Sequence, residues 1–597
     1  MLAKLTTRHA LRRCAVTGAA GLALLGAGLP AAGDGPSGPS PALDRFYRQK
    51  VAWAACDGME APRDLQCGKV AVPVDYGRPG GATLELALAR YRATGDKRGS
   101  VVLNFGGPGG PGVPELAYGG EDFMGLTDNY DVVGFDPRGV GRSSPVSCGD
   151  SYESPDVPDA ADEALRDPGA VLRQLEKAAD RCARHSGPVL PHIGTVNAAR
   201  DLDVIRQALG DDRLNYLGFS YGTRLGAVYA AQFPDRVGRL VLDGVDTLTE
   251  PLAEQGRASA AGQQTALEDF IDWCVRDIAC PFGQDARRAR EEVLRLVRSL
   301  DEDPVPTAFS GAFTGQDLVG AIGQALYSKD LWPSLERALA SLVEDGDTRH
   351  VEAFATGGFA LPHKGRAGDG TRGGAGDRSR DRAGQQTENR AGHRTEGLAG
   401  DRTESRPGDR PPGRVGYRPA ERAGDRSKDR PGPSPTPGDG ALVDPEEVPL
   451  DNLPAALMAI NCADDPDRPT AAQITRNLGR LRAEYEQASP VFGRYRLTQV
   501  LMCYGRPRGT DYIRTEVKDL DTPRMLLVGT RGDPATPYRW TVQTAKRLGP
   551  SAVVLDNKGE GHTGYASSEC VQRKVDAFLL YGSLPDRGGS CGAEEDE

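Results

Sequence analysis

Leu217-Gly218-Phe219-Ser220-Tyr221-Gly222 stands between an apolar run, Leu214–Phe219, and a helix-period segment, Thr223–Phe233. Small residues on both sides of a serine at such a junction let the chain turn sharply from strand into helix. The turn lifts the serine hydroxyl above the sheet edge, and the helix N-terminus favours negative charge beside it. The pattern singles out Ser220 as a nucleophile. A structural Gly-Ser turn is the plainer alternative.

Working outward from this turn, the chain alternates short β-branched runs with helical stretches. Strands are expected at Val70–Tyr76, Thr83–Arg92, Val101–Phe105, Asp131–Asp136, Leu214–Phe219, Val237–Asp243, Met525–Gly529 and Ala552–Asp556. Helices are expected at Ala198–Leu209, Thr223–Phe233, Arg539–Leu548 and Cys570–Tyr581. The first two strands read as an edge hairpin. From the third onward, strand and helix alternate as in right-handed βαβ units, which predicts an α/β fold with a mostly parallel eight-stranded sheet. Between the sixth and seventh strands lies a largely helical region (Ala260–Arg276, Arg287–Leu300, Leu331–Leu342, Ala471–Gln487). It predicts a helical cap over the strand ends, where open α/β sheets bind ligands.

A serine hydroxyl is a weak nucleophile without a base, so one of the seven histidines must supply it. In a sheet of this kind the acid and then the histidine follow the serine along the chain. His562, in Gly559-Glu560-Gly561-His562-Thr563 after the eighth strand, satisfies that order. The acid that orients the imidazole should also follow a late strand. Asp533, in Thr530-Arg531-Gly532-Asp533-Pro534, is the first choice and Asp243, after the sixth strand, the competitor. The negative charge that develops on an attacked carbonyl needs backbone N–H donors. Tyr221 and Gly107 are the candidates, the second in Asn104-Phe105-Gly106-Gly107-Pro108-Gly109, where missing side chains permit close approach. That loop lacks the Lys-Ser/Thr ending of a phosphate-binding loop.

The 597 residues accommodate more than one unit. Residues 1–33 carry Lys4, Arg8, Arg12 and Arg13 ahead of a small-residue apolar run, the order of a secretory signal peptide; a single membrane anchor is the alternative reading. Eleven cysteines include Cys14 in this leader, leaving an even ten suited to disulfides outside the cytosol. Proximity suggests the pairs Cys56–Cys67, Cys148–Cys182, Cys274–Cys280, Cys462–Cys503 and Cys570–Cys591. The expected organisation is a first core part at 41–249, a cap at 250–363, a disordered insertion at 364–441, more cap at 442–510, core again at 511–585, and an acidic tail at 586–597. The insertion repeats an Arg-Ala-Gly-Asp-Arg theme and holds almost no large apolar residue, so burial cannot offset its ordering entropy. No cysteine or histidine spacing indicates a metal site, and no cofactor is required. The formal charge of −11 argues against nucleic acid as a partner, and no stable membrane span is expected once the leader is gone.

Four segments together resemble the serine-peptidase branch of the α/β-hydrolases. They are Gly106-Gly-Pro-Gly109, Gly134-Phe-Asp-Pro-Arg-Gly-Val-Gly-Arg-Ser143, Gly218-Phe-Ser-Tyr-Gly222, and a C-terminal section with Gly532-Asp533 and Gly561-His562. The branch includes prolyl aminopeptidases, and the likeness is nearest to the secreted tripeptidyl-aminopeptidase-like proteins of actinobacteria. It implies an α/β-hydrolase fold, a cleaved leader, a secreted or envelope-associated location, and exopeptidase action on peptides with a free N-terminus. Prolyl aminopeptidases carry His-Gly-Gly-Pro-Gly where this chain has Phe105, a departure that bears on proline specificity and leaves the triad untouched. An esterase with the same three residues is the alternative activity, because fold and triad specify acyl transfer without specifying the leaving group. A non-enzymatic envelope-binding role for the charged insertion is the third reading.

Overall fold

The computed structural model describes residues 41–56, 58–59, 61–149, 167–307, 311–355, 442–465, 467–511, 517–586 and 588–592. The leader and the charged insertion at 364–441 lie outside the described residues. Among the described residues, twelve strands occur in chain order: β1 (Ala54–Ala55), β2 (Gln66–Pro73), β3 (Thr83–Tyr91), β4 (Gly99–Asn104), β5 (Tyr130–Phe135), β6 (Leu214–Phe219), β7 (Val237–Asp243), β8 (Val305–Pro306), β9 (Ala312–Phe313), β10 (Met525–Gly532), β11 (Ala552–Glu560) and β12 (Ser590–Cys591). Ten of them form one sheet in the order β1-β2-β3-β5-β4-β6-β7-β10-β11-β12. Pairing is antiparallel from β1 through β3 to β5 and parallel from there to β12.

All eight expected strands are present, but the sheet has ten strands rather than eight. The two additions, β1 and β12, are two-residue edge strands, too short to show a period of two in sequence. Each adjoins or contains a disulfide, Cys56–Cys67 at one edge and Cys570–Cys591 at the other. All five cysteine pairs expected from proximity are bonded.

Alternation along the central strands explains the layers. Val102, Val133, Tyr216, Leu242 and Leu527 join one core, while Val101, Val132, Leu217, Val241 and Leu526 join the other on the opposite face. Each face is covered by helices, among them Thr195–Leu209 on one side and Glu569–Tyr581 on the other. A third core belongs to the helices between β7 and β10. Phe270, Trp332, Leu335 and Phe354 pack there with Val491 and Phe492, so chain from both sides of the insertion shares one apolar interior. Among the described residues, no helix is long and apolar enough to cross a membrane.

The cap meets the sheet where the loops at its strand ends converge. The helix Asn452–Asp464 lies on the glycine loop after β4: a Cβ added to Gly109 would fall 3.1 Å from Ala456 Cβ. The helix Leu252–Cys274 crosses the loop after β10, with Gly262 against Pro537 and the Asp533 carbonyl. The loop after β11 donates from His562 N to the Tyr327 carbonyl at 2.8 Å, just beyond the helix Gly315–Ala325.

Candidate active site

Ser220 follows β6 directly and caps the helix Tyr221–Gln232 with φ 54° and ψ −123°, the left-handed region that L-residues rarely adopt. The turn is held by Ser220 N donating to the Asp243 carbonyl and Thr223 N donating to the Ser220 carbonyl, both at 2.9 Å. The flanking glycines are sterically required. A Cβ at Gly218 would sit 2.5 Å from the Gly222 carbonyl oxygen, and one at Gly222 would sit 2.7 Å from that of Asn104.

The same crowding brings the glycine loop to the serine. A Cβ on Gly106 would lie 2.6 Å from the Phe219 carbonyl oxygen, 3.0 Å from Ser220 Cβ and 3.4 Å from Tyr221 N. Gly106 and Gly107 take φ values of 86° and 107°, open to glycine alone at no cost. Tyr221 is the first residue of its helix, where N–H groups have no acceptor inside the helix. Phe105 stacks on Phe219 with ring centroids 6.0 Å apart and meets Phe123 edge-on at 5.9 Å. It belongs to an aromatic cluster with Phe123, Phe219 and Tyr565.

Asp533 and His562 are brought together. His562 Nδ1 lies 2.9 and 3.0 Å from the two Asp533 carboxylate oxygens. The carboxylate side chain is wholly buried, and the imidazole is 13% exposed. Asp533 also accepts from the N–H groups of Ala535 and Thr536 and from the Thr536 hydroxyl, all at 2.8 Å, and from Thr563 N at 3.2 Å. Burial pushes Asp533 toward its neutral form, but the His562 charge and these hydrogen bonds outweigh it and hold its pKa below the ordinary value. For His562 burial acts downward, and the charge and hydrogen bond of Asp533, aided by Asp243 and Asp246, lift the pKa above its ordinary value.

Asp243, the competing acid, takes another role. Its carboxylate accepts from Gly564 N at 2.9 Å and Tyr565 N at 2.8 Å, bracing the loop that carries His562. Burial raises its pKa to about 6 despite those two bonds. The next residue, Gly244, ties the histidine to the serine turn, since a Cβ there would lie 3.5 Å from His562 Cε1. A hydrogen bond between the Ser220 hydroxyl and His562 is not among the contacts of the described residues. Such bonds commonly tighten only when substrate is bound.

Three contributors had no sequence signal of their own. Thr536 holds Asp533, Gly244 leaves room for the Thr563 and Thr536 side chains beside His562, and Tyr327 packs edge-on against the imidazole with centroids 5.1 Å apart. Tyr327 comes from the cap, far away in the chain, so no local pattern could announce it. Asp136 and Arg138, within one of the motif segments, are structural. Asp136 accepts from Val113 N and Arg142 N at 2.9 Å each, and Arg138 pairs with Asp201 through two bonds of 2.6 Å.

Residues 100–341 match the family model described as alpha/beta hydrolase fold, and residues 489–591 match the one described as TAP-like protein. The chain is 40% identical over 320 residues to "Serine protease Hip1" of Mycobacterium tuberculosis (strain ATCC 25618 / H37Rv), covering 50% of this chain and 61% of that protein. It is 35% identical over 351 residues to "Tripeptidyl aminopeptidase" of Streptomyces lividans, covering 55% of this chain and 64% of that protein. A longer match, 30% identical over 579 residues, covers 94% of this chain and 92% of "Carboxylesterase B" of Mycobacterium tuberculosis (strain CDC 1551 / Oshkosh). The chain thus spans less than two thirds of the first two relatives' length and nearly all of the third's.

Proposed function

This chain belongs to the α/β-hydrolase family, and from that membership we propose that it is an exported serine peptidase acting on peptides with a free N-terminus. The observation that carries the reading is the buried Asp533–His562 pair, bonded at 2.9 Å and set beside the turn that presents Ser220. Ser220 attacks the scissile carbonyl as His562 takes its proton, and Asp533 stabilises the imidazolium. The N–H groups of Tyr221 and Gly107 receive the oxyanion. His562 then passes the proton to the leaving amine and activates the water that releases the acyl group. The five disulfides support a location outside the cytosol.

Two features favour peptides with a free N-terminus. Relatives named serine protease and tripeptidyl aminopeptidase match at 40% and 35% identity. A cap carboxylate also stands close to the acid: Asp269 Oδ2 lies 3.3 Å from where a Cβ on Gly532 would be. Burial, with the charges of Glu560, Asp272 and Glu268, raises the Asp269 pKa to about 6, so a substrate ammonium would relieve an unfavourable concentration of negative charge. The match to a protein named carboxylesterase along 94% of the chain supports an ester-hydrolysing alternative with the same machinery.

A fluorophosphonate probe should label the wild-type protein at Ser220 and leave Ser220→Ala unlabelled. An unblocked tripeptide anilide should be cleaved about 10- to 150-fold faster than its N-acetylated form, the worth of one hydrogen bond to a charged group. Equal rates on both, or faster turnover of a simple ester, would replace the peptidase reading by the ester one. Labelling that persists in Ser220→Ala would remove Ser220 from the mechanism.

A further inference from the structure

A cavity of about 460 Å³ opens in the cap beside the candidate site, walled by Gln263, Gln324, Gln499, Tyr327, Arg496 and Asp317 among others. Tyr327 connects it to the catalytic pair, since one ring both lines the cavity and packs edge-on against His562. Although Tyr327 lies between cap and core, it is 37% exposed, as expected of a side chain in the wall of an open cleft.

Arg496 is the cation of this cavity. Its Nε donates to Gln263 Oε1 at 3.0 Å, and no carboxylate of the described residues pairs with it. The fully buried arginines differ in this respect: Arg138 is matched by Asp201, and Arg224 by Asp246 and Asp464. The lining acid Asp317 is occupied elsewhere, its carboxylate accepting from the Thr314 backbone and hydroxyl at 2.8 Å each as a helix cap. Burial depresses the Arg496 pKa, yet a guanidinium stays charged at neutral pH. The guanidinium is half-buried and has no carboxylate partner among the described residues, and its planar fork suits a carboxylate.

Resting on the reading of Ser220 and His562 as a peptidase pair, we propose that Arg496 anchors a carboxylate of the substrate, so that short peptides are read at both ends. Placement on one element brings the two ends together. Gln263, the partner of Arg496, and Asp269, the candidate ammonium partner, lie on the one helix Leu252–Cys274, six residues apart, about 9 Å along its axis and about 120° around it. A four-residue peptide reaches at most about 14 Å. A main-chain terminus and an acidic side chain offer the same carboxylate, so the test separates them.

The experiment is calorimetric binding to Ser220→Ala protein of three probes: tetra-alanine as free acid, its C-terminal amide, and Ala-Ala-Ala-Glu amide. The free acid should bind at least about 10-fold tighter than the tetra-alanine amide, the worth of a hydrogen bond between charged groups. Tight binding by the free acid alone assigns the chain terminus; tight binding by the glutamyl amide too assigns a carboxylate from either source. Adding Arg496→Gln should bring all three within about 2-fold, and Arg496→Lys should keep part of the preference. Equal affinities for acid and amide, no measurable binding of any probe, or a preference that survives Arg496→Gln would overturn the proposal. Fluorophosphonate labelling of wild-type protein answers the other question separately. Labelled protein without acid preference loses only the Arg496 anchor, whereas unlabelled protein with that preference loses the hydrolase reading.

Discussion

Asp533→Asn isolates what the buried acid does, because the replacement preserves shape and removes only charge and acceptor capacity. The native carboxylate accepts from Ala535 N, Thr536 N, the Thr536 hydroxyl and Thr563 N besides facing His562 Nδ1. Those four donors hold the group rigidly, so an amide in its place must direct its NH2 either at one of them or at the imidazole. Donation to Nδ1 imposes the tautomer with the proton on Nε2, and the face turned to the serine is then no base. Loss of the charge-assisted bond alone costs about 1.5–3 kcal/mol. With the wrong tautomer added, the expected fall in kcat is on the order of 10⁴-fold, the size known for the same change in a serine protease triad. The pH profile supplies a second readout. His562 must be neutral to act as base, so kcat/KM should rise with pH through the His562 pKa, which Asp533 holds above the ordinary value against burial. Removing that charge lets burial prevail, and the acid limb of the residual activity should move to lower pH. Stopped-flow turnover of an unblocked tripeptide anilide from pH 5 to 9 measures both. A variant within about 10-fold of wild type, or an acid limb that stays in place, would refute the assignment of Asp533 and return attention to Asp243.

Gly106→Ala should keep the circular dichroism spectrum and lose at least about 10²-fold in kcat, the usual cost of disturbing one oxyanion donor, because its Cβ would press within 2.6 Å of the Phe219 carbonyl oxygen beside Ser220. Arg138→Met should destabilise the fold by about 3–5 kcal/mol in urea unfolding while folded protein keeps its turnover number: it strands Asp201 as a buried charge and leaves the carbonyls of Pro73, Val74 and His192 without their donor.

Much of this molecule is written locally. The strand–turn–helix at Ser220 is legible because Gly218, Ser220 and Gly222 are conformational requirements of one short stretch, enforced by contacts between near neighbours such as Gly218 and the Gly222 carbonyl. The central strands are legible because burial on both faces demands short, nearly continuous apolar runs, and the disulfides because each joins cysteines near in sequence. Asp533 and His562 could be singled out from chain order and turn composition, each lying in a loop just past a strand. Other features had no such expression. The edge strands β1 and β12 are two residues long, and what places them is pairing with distant partners across the sheet. Asp243 ends one strand and Asp533 follows another, and only the folded loops decide that Asp533 faces the imidazole while Asp243 braces backbone. Tyr327 reaches the site, and Arg496 the neighbouring cavity, through the cap, whose helices pack by apolar contacts between segments far apart in the chain. Local sequence determines which groups a turn can present; which groups meet one another depends on how the cap and sheet close together, and that is a property of tertiary packing alone.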